Sequence, residues 1–328
     1  MGQTKRIHPV RQEEVMSSSD GGLWNKTRSS ASSFSDCRQV VNALFRRRVS
    51  FSSLLTNVNH DRIYSENRNR VTHDMFPQGT SIRNLKGGPM SQPTEAEWQQ
   101  WREQGYLVFE NAIQGDQLAR LQAAFDRCAA EGMNAYLQRI ERGEAIATFY
   151  DIANPLEKDD VFIDIVDHPS YYGHLKAFTD NKVIFLGPQP RSVPPWVLSY
   201  TGWHPDVPKT NPLHIKVQIY VNDVAHGAGE FAYVPGSHRP ESGPYSRVKN
   251  SDAMPGHKRF AGKAGTAIMF NAAGWHVAMD NKTRAFRKSI ILIYEQHTAD
   301  RMKPEAHASI ASRLHTEERR RLFSLEAT

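Results

Sequence analysis

The segment His214–Val221 alternates without interruption between polar and apolar side chains. Its apolar positions are Ile215, Val217, Ile219 and Val221. A period of two is the side-chain period of a β-strand, and a helix would scatter these residues around its whole circumference. The sequence therefore predicts a strand that separates an apolar layer from a more polar space, and such a strand needs partners on both sides.

Two helices are predicted after Pro93, with a short strand at Tyr106–Phe109 between them. Thr94 and Glu97 have the spacing of a capping box, and Gly105 is a suitable C-terminal stop for the helix that follows. Asp116 is expected to cap the second helix. The apolar face of that helix is formed by Leu118, Leu121, Phe125 and Cys128. Both helices are expected to pack on the core through these apolar faces.

Residues 135–180 look helical with breaks at two prolines, and from Val183 onward the pattern changes to strands. Apolar runs at Thr266–Phe270 and Ser289–Tyr294 predict two further strands. The polar segment Asp280–Thr283 lies between them and is expected to form a hairpin turn. Together these patterns predict a mainly β fold, a double-stranded β-helix or jelly-roll core with flanking α-helices.

Four polar residues stand at the ends of these predicted strands. His204 and Asp206 come just before His214–Val221, His276 follows a second strand, and Arg287 opens a third. Two histidines and one carboxylate are the ligand set that binds Fe(II) on one face and leaves the other positions open. An arginine can hold a carboxylate through a two-pronged ion pair. The pattern therefore predicts a metal site beside a carboxylate site.

The motifs, in this order, resemble the phytanoyl-CoA dioxygenase family of Fe(II)- and 2-oxoglutarate-dependent oxygenases. The resemblance covers about residues 93–295. Its segments are PTEAEWQQWREQGYLVFENAIQGDQLARLQAAFD, GWHPDVP, HIKVQIYVNDV, GEFAYVPGSHRP and GTAIMFNAAGWHVAMDNKTRAFRKSIILIY. The order of the His-x-Asp motif, the strand, the Pro-Gly-Ser-His turn, the distal histidine and the arginine is that of the family.

The resemblance implies that His204, Asp206 and His276 bind Fe(II) and that Arg287 anchors the co-substrate 2-oxoglutarate. Gln218 stands where the family often directs a side chain toward the co-substrate, although it could also be a mere inward polar contact. Such an enzyme consumes O2, releases succinate and carbon dioxide, and hydroxylates or otherwise oxidises an unactivated C–H bond. The presence of Asp206 argues against the related halogenases, which have a small residue there.

The resemblance is less specific about the substrate pocket. Trp203, Phe270 and Asn271 flank the ligands and could line this pocket, but core packing explains the two aromatic residues equally well. The family commonly has Thr or Leu where Phe231 stands. The turn that contains His238 is expected to be structural, with metal ligation as the weaker reading. The expected substrate is a small or carrier-linked organic molecule.

Charge divides the chain into two parts. Residues 1–89 have 14 Lys and Arg against 7 Asp and Glu, whereas the remainder has 27 against 28. The basic segment is rich in serine and is expected to be a disordered tail, with a transit peptide or an upstream extension as alternatives. Residues 90–328 are expected to form the catalytic domain. Its near-neutral charge makes nucleic-acid binding by that domain unlikely.

Two alternatives to a small-molecule oxygenase remain at this stage. One is a metal-binding β-barrel without oxygenase activity, and the other is an oxygenase that acts on a macromolecule recruited by the basic tail.

The two cysteines form no disulfide framework, and no apolar run approaches the length of a membrane helix. A cytoplasmic location is expected, with organelle targeting by the N-terminal segment as the alternative. The oligomeric state stays open.

Overall fold

The computed structural model describes residues 91–209, 212–246, 248–298 and 303–326. The predictions for the N-terminal segment 1–89 lie outside these residues. Ser91, the first described residue, donates its hydroxyl hydrogen to the carbonyl oxygen of Ser170 at 3.4 Å. In the described parts of the chain, no helix is both long and apolar enough to cross a membrane.

Helix α1 spans Glu95–Gln104 and has the predicted ends. The Thr94 backbone N–H donates to the Glu97 carboxylate at 2.7 Å, and the Thr94 hydroxyl oxygen accepts from the Glu97 N–H at 3.3 Å. The helix ends at Gly105, whose φ of 81° lies in the left-handed region that glycine adopts readily. A Cβ atom there would also lie 2.4 Å from Nδ1 of His238, so two independent constraints favour glycine.

The remaining helices correct two predictions. Helix α2 spans Gly115–Glu141, and its N-cap residue is Gln114, so Asp116 lies in the first turn and is not the cap. Residues 135–180 are less helical than predicted, because strand β2 at Tyr150–Asp151 interrupts them. A two-residue strand carries too little periodicity to be recognised in sequence. The other helices are α3 at Pro155–Lys158, α4 at Val161–Asp164, α5 at Tyr172–Phe178, α6 at Glu317–Leu322, and 3₁₀ turns at Ser251–Ala253 and Pro304–Arg313.

Two antiparallel sheets form the β-structure. Besides β2, the strands are β1 Tyr106–Phe109, β3 Val183–Val193, β4 His214–Tyr220, β5 Phe231–Tyr233, β6 Lys258–Phe260, β7 Ala267–Asn271, β8 His276–Ala278 and β9 Arg287–Gln296. The first sheet has six strands in the order β1, β7, β4, β9, β3, β2, and the second has three in the order β6, β5, β8. The prediction of a jelly-roll core with flanking helices is confirmed.

The segment after β8 crosses between the sheets and does not form the predicted hairpin. Strand β8 pairs with β5, whereas β9 pairs with β3 and β4. Asn281 holds the crossing in place, because its side-chain N–H groups donate to the carbonyl oxygens of Pro194 and Ala285, both at 2.9 Å. Turn-forming residues mark where a chain changes direction, but they do not specify which strand it then joins.

Strand β4 has the two unlike faces that its alternation predicts. Ile215, Val217 and Ile219 are fully buried in the main apolar core, which also contains residues of the helices. The opposite face has His214, Lys216, Gln218 and Tyr220, which face the interior between the sheets. The alternation therefore directs four polar groups into the space where the candidate site lies.

Candidate active site

His204, Asp206 and His276 converge on one point. Each offers one ligand atom, and these atoms all lie within 4.8 Å of one another. The Asp206 Oδ2 atom is 3.1 Å from His276 Nε2, and its Oδ1 atom is 3.8 Å from His204 Nε2. This is the only such group of His, Cys, Asp or Glu in the described parts of the chain. The arrangement fits a two-histidine, one-carboxylate metal site.

Backbone hydrogen bonds orient the two imidazole rings. His204 and His276 form a two-way backbone bridge, with N···O distances of 3.2 and 3.0 Å. Nδ1 of His204 lies 2.9 Å from the Gly202 carbonyl oxygen, and Nδ1 of His276 lies 2.9 Å from the Gly274 carbonyl oxygen. A carbonyl oxygen can only accept, so each Nδ1 must be the protonated nitrogen. Each Nε2 therefore keeps its lone pair for a metal ion.

Two pKa shifts in the site favour a neutral His204 and an ionised Asp206. Burial lowers the pKa of His204, and the neighbouring His276 lowers it further. Burial alone would raise the pKa of Asp206, but His276 and Lys216 outweigh this effect and hold it well below its usual range. Nζ of Lys216 lies 2.7 Å from Oδ2 of Asp206. Neutral imidazoles and an ionised carboxylate are the forms that bind metal ions.

Aromatic rings enclose His276 on its other side. The Phe270 ring centroid is 4.8 Å from that of His276, the Phe231 centroid is 5.9 Å away, and the two phenylalanine rings are 4.5 Å apart. These rings restrict the orientation of the imidazole and limit access of water. Phe231, which departs from the family pattern, belongs to this wall. A substrate contact by Phe270 stays a prediction.

Arg287, the first residue of β9, is only 1% exposed, and some of its hydrogen-bond donors have no partner. Its Nη1 donates to the Ser289 hydroxyl at 2.6 Å, but its Nε and Nη2 atoms are buried without a partner. Burial lowers the pKa of Arg287, while the nearby Tyr200 opposes that effect. A buried guanidinium with unpaired N–H groups is costly unless an anion binds it. The side chain therefore fits the carboxylate-binding role that the sequence predicts.

Gln218 lies between Arg287 and the metal triad. In the sheet register, Tyr220 is opposite Ser289, and Gln218 and Lys216 follow along β4 toward the triad. Gln218 is 3% exposed, and its Nε2 atom has no hydrogen-bond partner. Unpartnered donors thus lie along the path from the triad to Arg287. Such a row fits a short dicarboxylic keto acid whose distal carboxylate reaches the arginine.

Three residues near Arg287 were not predicted from the sequence. Ser289 lies two positions after Arg287 on the same strand, so the two side chains share a face. This spacing was a signal that could have identified Ser289 from the sequence. Arg191 forms a two-pronged ion pair with Asp151, with both N···O distances 2.7 Å, and donates from Nη1 to the Tyr200 hydroxyl at 2.5 Å. Tyr200 also interacts with Arg287. The contacts of Arg191 with Asp151 and of Tyr200 with Arg287 join distant parts of the chain, so the sequence gives no signal for them.

Two other predicted pocket residues have clear structural roles. Trp203 is 1% exposed, packs with Met254 and Val277, and donates its indole N–H to the Ser251 carbonyl oxygen at 2.8 Å. The Asn271 side-chain oxygen accepts from the Ala273 N–H at 3.0 Å and so stabilises the turn after β7. Their substrate contacts stay predictions.

Solved structures resemble this fold at low sequence identity. The non-heme alpha ketoglutarate dependent carbocyclase SnoK from nogalamycin biosynthesis is 19% identical over 64% of this chain and 87% of its own, with a TM-score of 0.48. AviO1 from Streptomyces viridochromogenes Tue57 is 19% identical over 62% and 96%, with a TM-score of 0.46. EvdO2 from Micromonospora carbonacea var. aurantiaca, complexed with 2-oxoglutarate, is 16% identical over 63% and 93%, with a TM-score of 0.45. None of the curated proteins compared with this chain matches it.

A sequence profile described as phytanoyl-CoA dioxygenase (PhyH) matches residues 101–289, which is more than half of the chain. The matched range contains the triad and Arg287. Enzymes of this family depend on iron and 2-oxoglutarate, and the buried unpartnered donors of Arg287 and Gln218 fit such a co-substrate. Fe(II), 2-oxoglutarate and O2 are accordingly the cofactors of this protein. The chain belongs to the phytanoyl-CoA dioxygenase family of Fe(II)- and 2-oxoglutarate-dependent oxygenases.

Proposed function

We propose that this protein hydroxylates, or otherwise oxidises, an unactivated C–H bond of a small or carrier-linked organic substrate. The observation that carries the proposal is the combination of a preorganised triad with a buried Arg287 that has two unpartnered donor nitrogens, Nε and Nη2. The triad alone would suit many metal-binding proteins. A buried arginine without an anion beside such a triad fits an enzyme that binds a carboxylic co-substrate.

His204, Asp206 and His276 would hold Fe(II), and their hydrogen bonds fix the ligand atoms before the metal arrives. The bound iron, 2-oxoglutarate and O2 supply an oxidant able to break a C–H bond, with release of succinate and carbon dioxide. Arg287 would bind the distal carboxylate of the co-substrate, and Gln218 would donate a hydrogen bond along its length. The protein's own contribution is to position these groups and to limit water beside His276.

The alternatives are weaker on physical grounds. In a metal-binding barrel without oxygenase activity, nothing would offset the cost of burying the open donors of Arg287. For a macromolecular substrate, residues 90–328 have a near-neutral net charge, so they would give little net electrostatic attraction to nucleic acid. An oxidised small or carrier-linked molecule is therefore the function that the site supports best.

The test uses the purified full-length protein with Fe(II) and 2-oxoglutarate in air. We expect formation of succinate, and, with a metabolite extract, at least one product heavier by one oxygen atom in mass spectrometry. His276→Ala is the matched inactive variant, and it separates enzymatic from uncatalysed oxidation by free iron. Tight iron binding without any succinate above the His276→Ala background would contradict the proposal.

A further inference from the structure

Lys216 contacts the metal triad but is not itself a candidate ligand. Its side chain is 13% exposed, and its Nζ atom lies 2.7 Å from Oδ2 of Asp206. The residues opposite it in the sheet are Phe270 and Ile293, both apolar. Within the described ranges, Asp206 is the only carboxylate with which Lys216 forms an ion pair. This ammonium group therefore depends on a carboxylate that a metal ion would also use.

Metal binding changes the surroundings of Lys216. An ammonium group has three N–H donors, and a carboxylate that is shared with a divalent cation satisfies at most part of them. Two cations held close together at a partly buried site repel each other. Lys216 would therefore gain from a second anion on the open side of the metal site.

The charges of the loaded site show where that anion must come from. A divalent metal and Arg287 together balance Asp206 and the dianionic co-substrate, so Lys216 is left as one uncompensated positive charge. The Asp151 carboxylate lies 2.7 Å from Arg191 and the Glu295 carboxylate lies 2.5 Å from His214, and within the described ranges neither carboxylate forms an ion pair with Lys216. An anionic group of a bound molecule would supply the missing negative charge.

We propose that Lys216 binds the carboxylate of the prime substrate, which is therefore a free organic acid and not a neutral molecule or a thioester. This inference rests on the proposed function of the site and narrows its substrate class. Because Lys216 contacts a metal-ligand carboxylate directly, the acid group would bind close to the metal. The oxidised carbon then lies only a few bonds from the acid group.

The experiment compares matched acids and amides on wild-type protein, Lys216→Met and Lys216→Arg. Protein is loaded with Co(II) and the inert co-substrate analogue N-oxalylglycine. Octanoate, 3-phenylpropanoate and their primary amides are then titrated by calorimetry. We expect each acid that binds the wild type to bind at least tenfold more tightly than its amide. This preference should vanish in Lys216→Met, which keeps the length of the side chain without its charge, and persist in Lys216→Arg.

Several results would overturn the inference. Equal affinity for acid and amide in the wild type, an acid preference that survives in Lys216→Met, or no acid binding at millimolar concentration would each contradict it. A tenfold loss of N-oxalylglycine affinity in Lys216→Met would assign Lys216 to the co-substrate carboxylate instead. Circular dichroism and melting temperature show whether the variants fold. Failure of the proposed function is distinguishable, because Co(II)-loaded wild-type protein would then not bind N-oxalylglycine, and the iron-loaded protein would form no succinate.

Discussion

Oδ2 of Asp206 lies 3.1 Å from Nε2 of His276, although Asp206 lies in the segment before a strand of one sheet and His276 opens a strand of the other. Asp206 precedes β4 of the six-stranded sheet, and its backbone N–H donates to the Ala272 carbonyl oxygen at 2.9 Å. His276 opens β8 of the three-stranded sheet. The candidate metal site thus lies where the two sheets meet, so ligand geometry depends on the packing of the whole barrel.

Removal of any triad side chain should abolish metal binding and leave the fold intact. We expect His204→Ala, Asp206→Ala and His276→Ala each to lower Co(II) affinity by at least about 100-fold. Loss of a residue that only hydrogen-bonds a metal ligand costs up to about 100-fold, and loss of the ligand itself should cost at least as much. Calorimetry measures the affinity, and circular dichroism monitors the fold. His226→Ala is the control, since its side chain is 64% exposed and lies outside the triad. Near-normal affinity in any triad variant would show that the ligand is a different residue.

Arg287→Lys should weaken 2-oxoglutarate binding while metal binding survives. Lysine keeps the charge but lacks the planar fork, so we expect a loss of roughly 1–3 kcal/mol in binding free energy. The measurement is titration of 2-oxoglutarate into Co(II)-loaded protein. Arg284→Lys is the matched control, because Arg284 is an exposed arginine three positions away. If the two variants bind 2-oxoglutarate equally well, the anchor lies elsewhere.

Tyr200→Phe should also weaken co-substrate binding, through loss of one donor. Arg191 donates to the Tyr200 hydroxyl oxygen at 2.5 Å, so the hydroxyl hydrogen is free to point toward an anion at Arg287. We expect a loss of about 1 kcal/mol for 2-oxoglutarate, the usual net value of one hydrogen bond. Binding of 2-oxobutanoate, which lacks the distal carboxylate, should not change. An equal loss for both keto acids would mean that Tyr200 acts on the site as a whole.

Acid should destabilise the fold through His168. Burial lowers the pKa of His168 to about 4, and its ring nitrogens lie 2.8 Å from the Ser170 hydroxyl and 2.9 Å from the Gln117 side-chain oxygen. An unfolded histidine has a pKa near 6.5, so between pH 6.5 and 4 the unfolded chain binds more protons than the folded chain. The free energy of unfolding should therefore fall as the pH falls, by up to about 1.4 kcal/mol per pH unit from this group.

Urea unfolding at pH 7, 6, 5 and 4.5 measures this dependence. His168→Gln should reduce the slope between pH 6.5 and 4, whereas the exposed control His226→Gln should leave it unchanged. Identical slopes for wild type and His168→Gln would show that other groups determine the acid sensitivity.

A chain that begins at Met90 should fold and bind metal like the full chain. The predicted catalytic domain starts at Met90. The capping box at Thr94, four residues later, begins the first helix. Because residues 1–89 offer no periodic apolar face for burial, their removal should shift the melting temperature little. Co(II) titration and thermal unfolding of both chains are the measurements. Loss of solubility or metal affinity in the shorter chain would show that the N-terminal segment stabilises the domain.

The sequence by itself was enough to select the candidate residues for the chemistry. Alternation in His214–Val221 predicts a strand with unlike faces, and the structure confirms both its position and its apolar face. The capping box at Thr94 and Glu97 was equally readable, because it involves residues that are adjacent on one helical turn. His204, Asp206, His276 and Arg287 could be selected for their chemical types and their order. Such features are local, and local sequence encodes them directly.

Only the tertiary structure decided how these pieces meet. The segment after His276 was expected to form a hairpin, but it crosses to the other sheet, because strand pairing is set by burial across the whole barrel. The contact of Arg191 with Asp151 and that of Asp206 with His276 join segments that lie far apart in the sequence. The unpartnered donors of Arg287 likewise appear only once its surroundings are known. Contacts between distant segments depend on packing, and packing is a property of the folded chain.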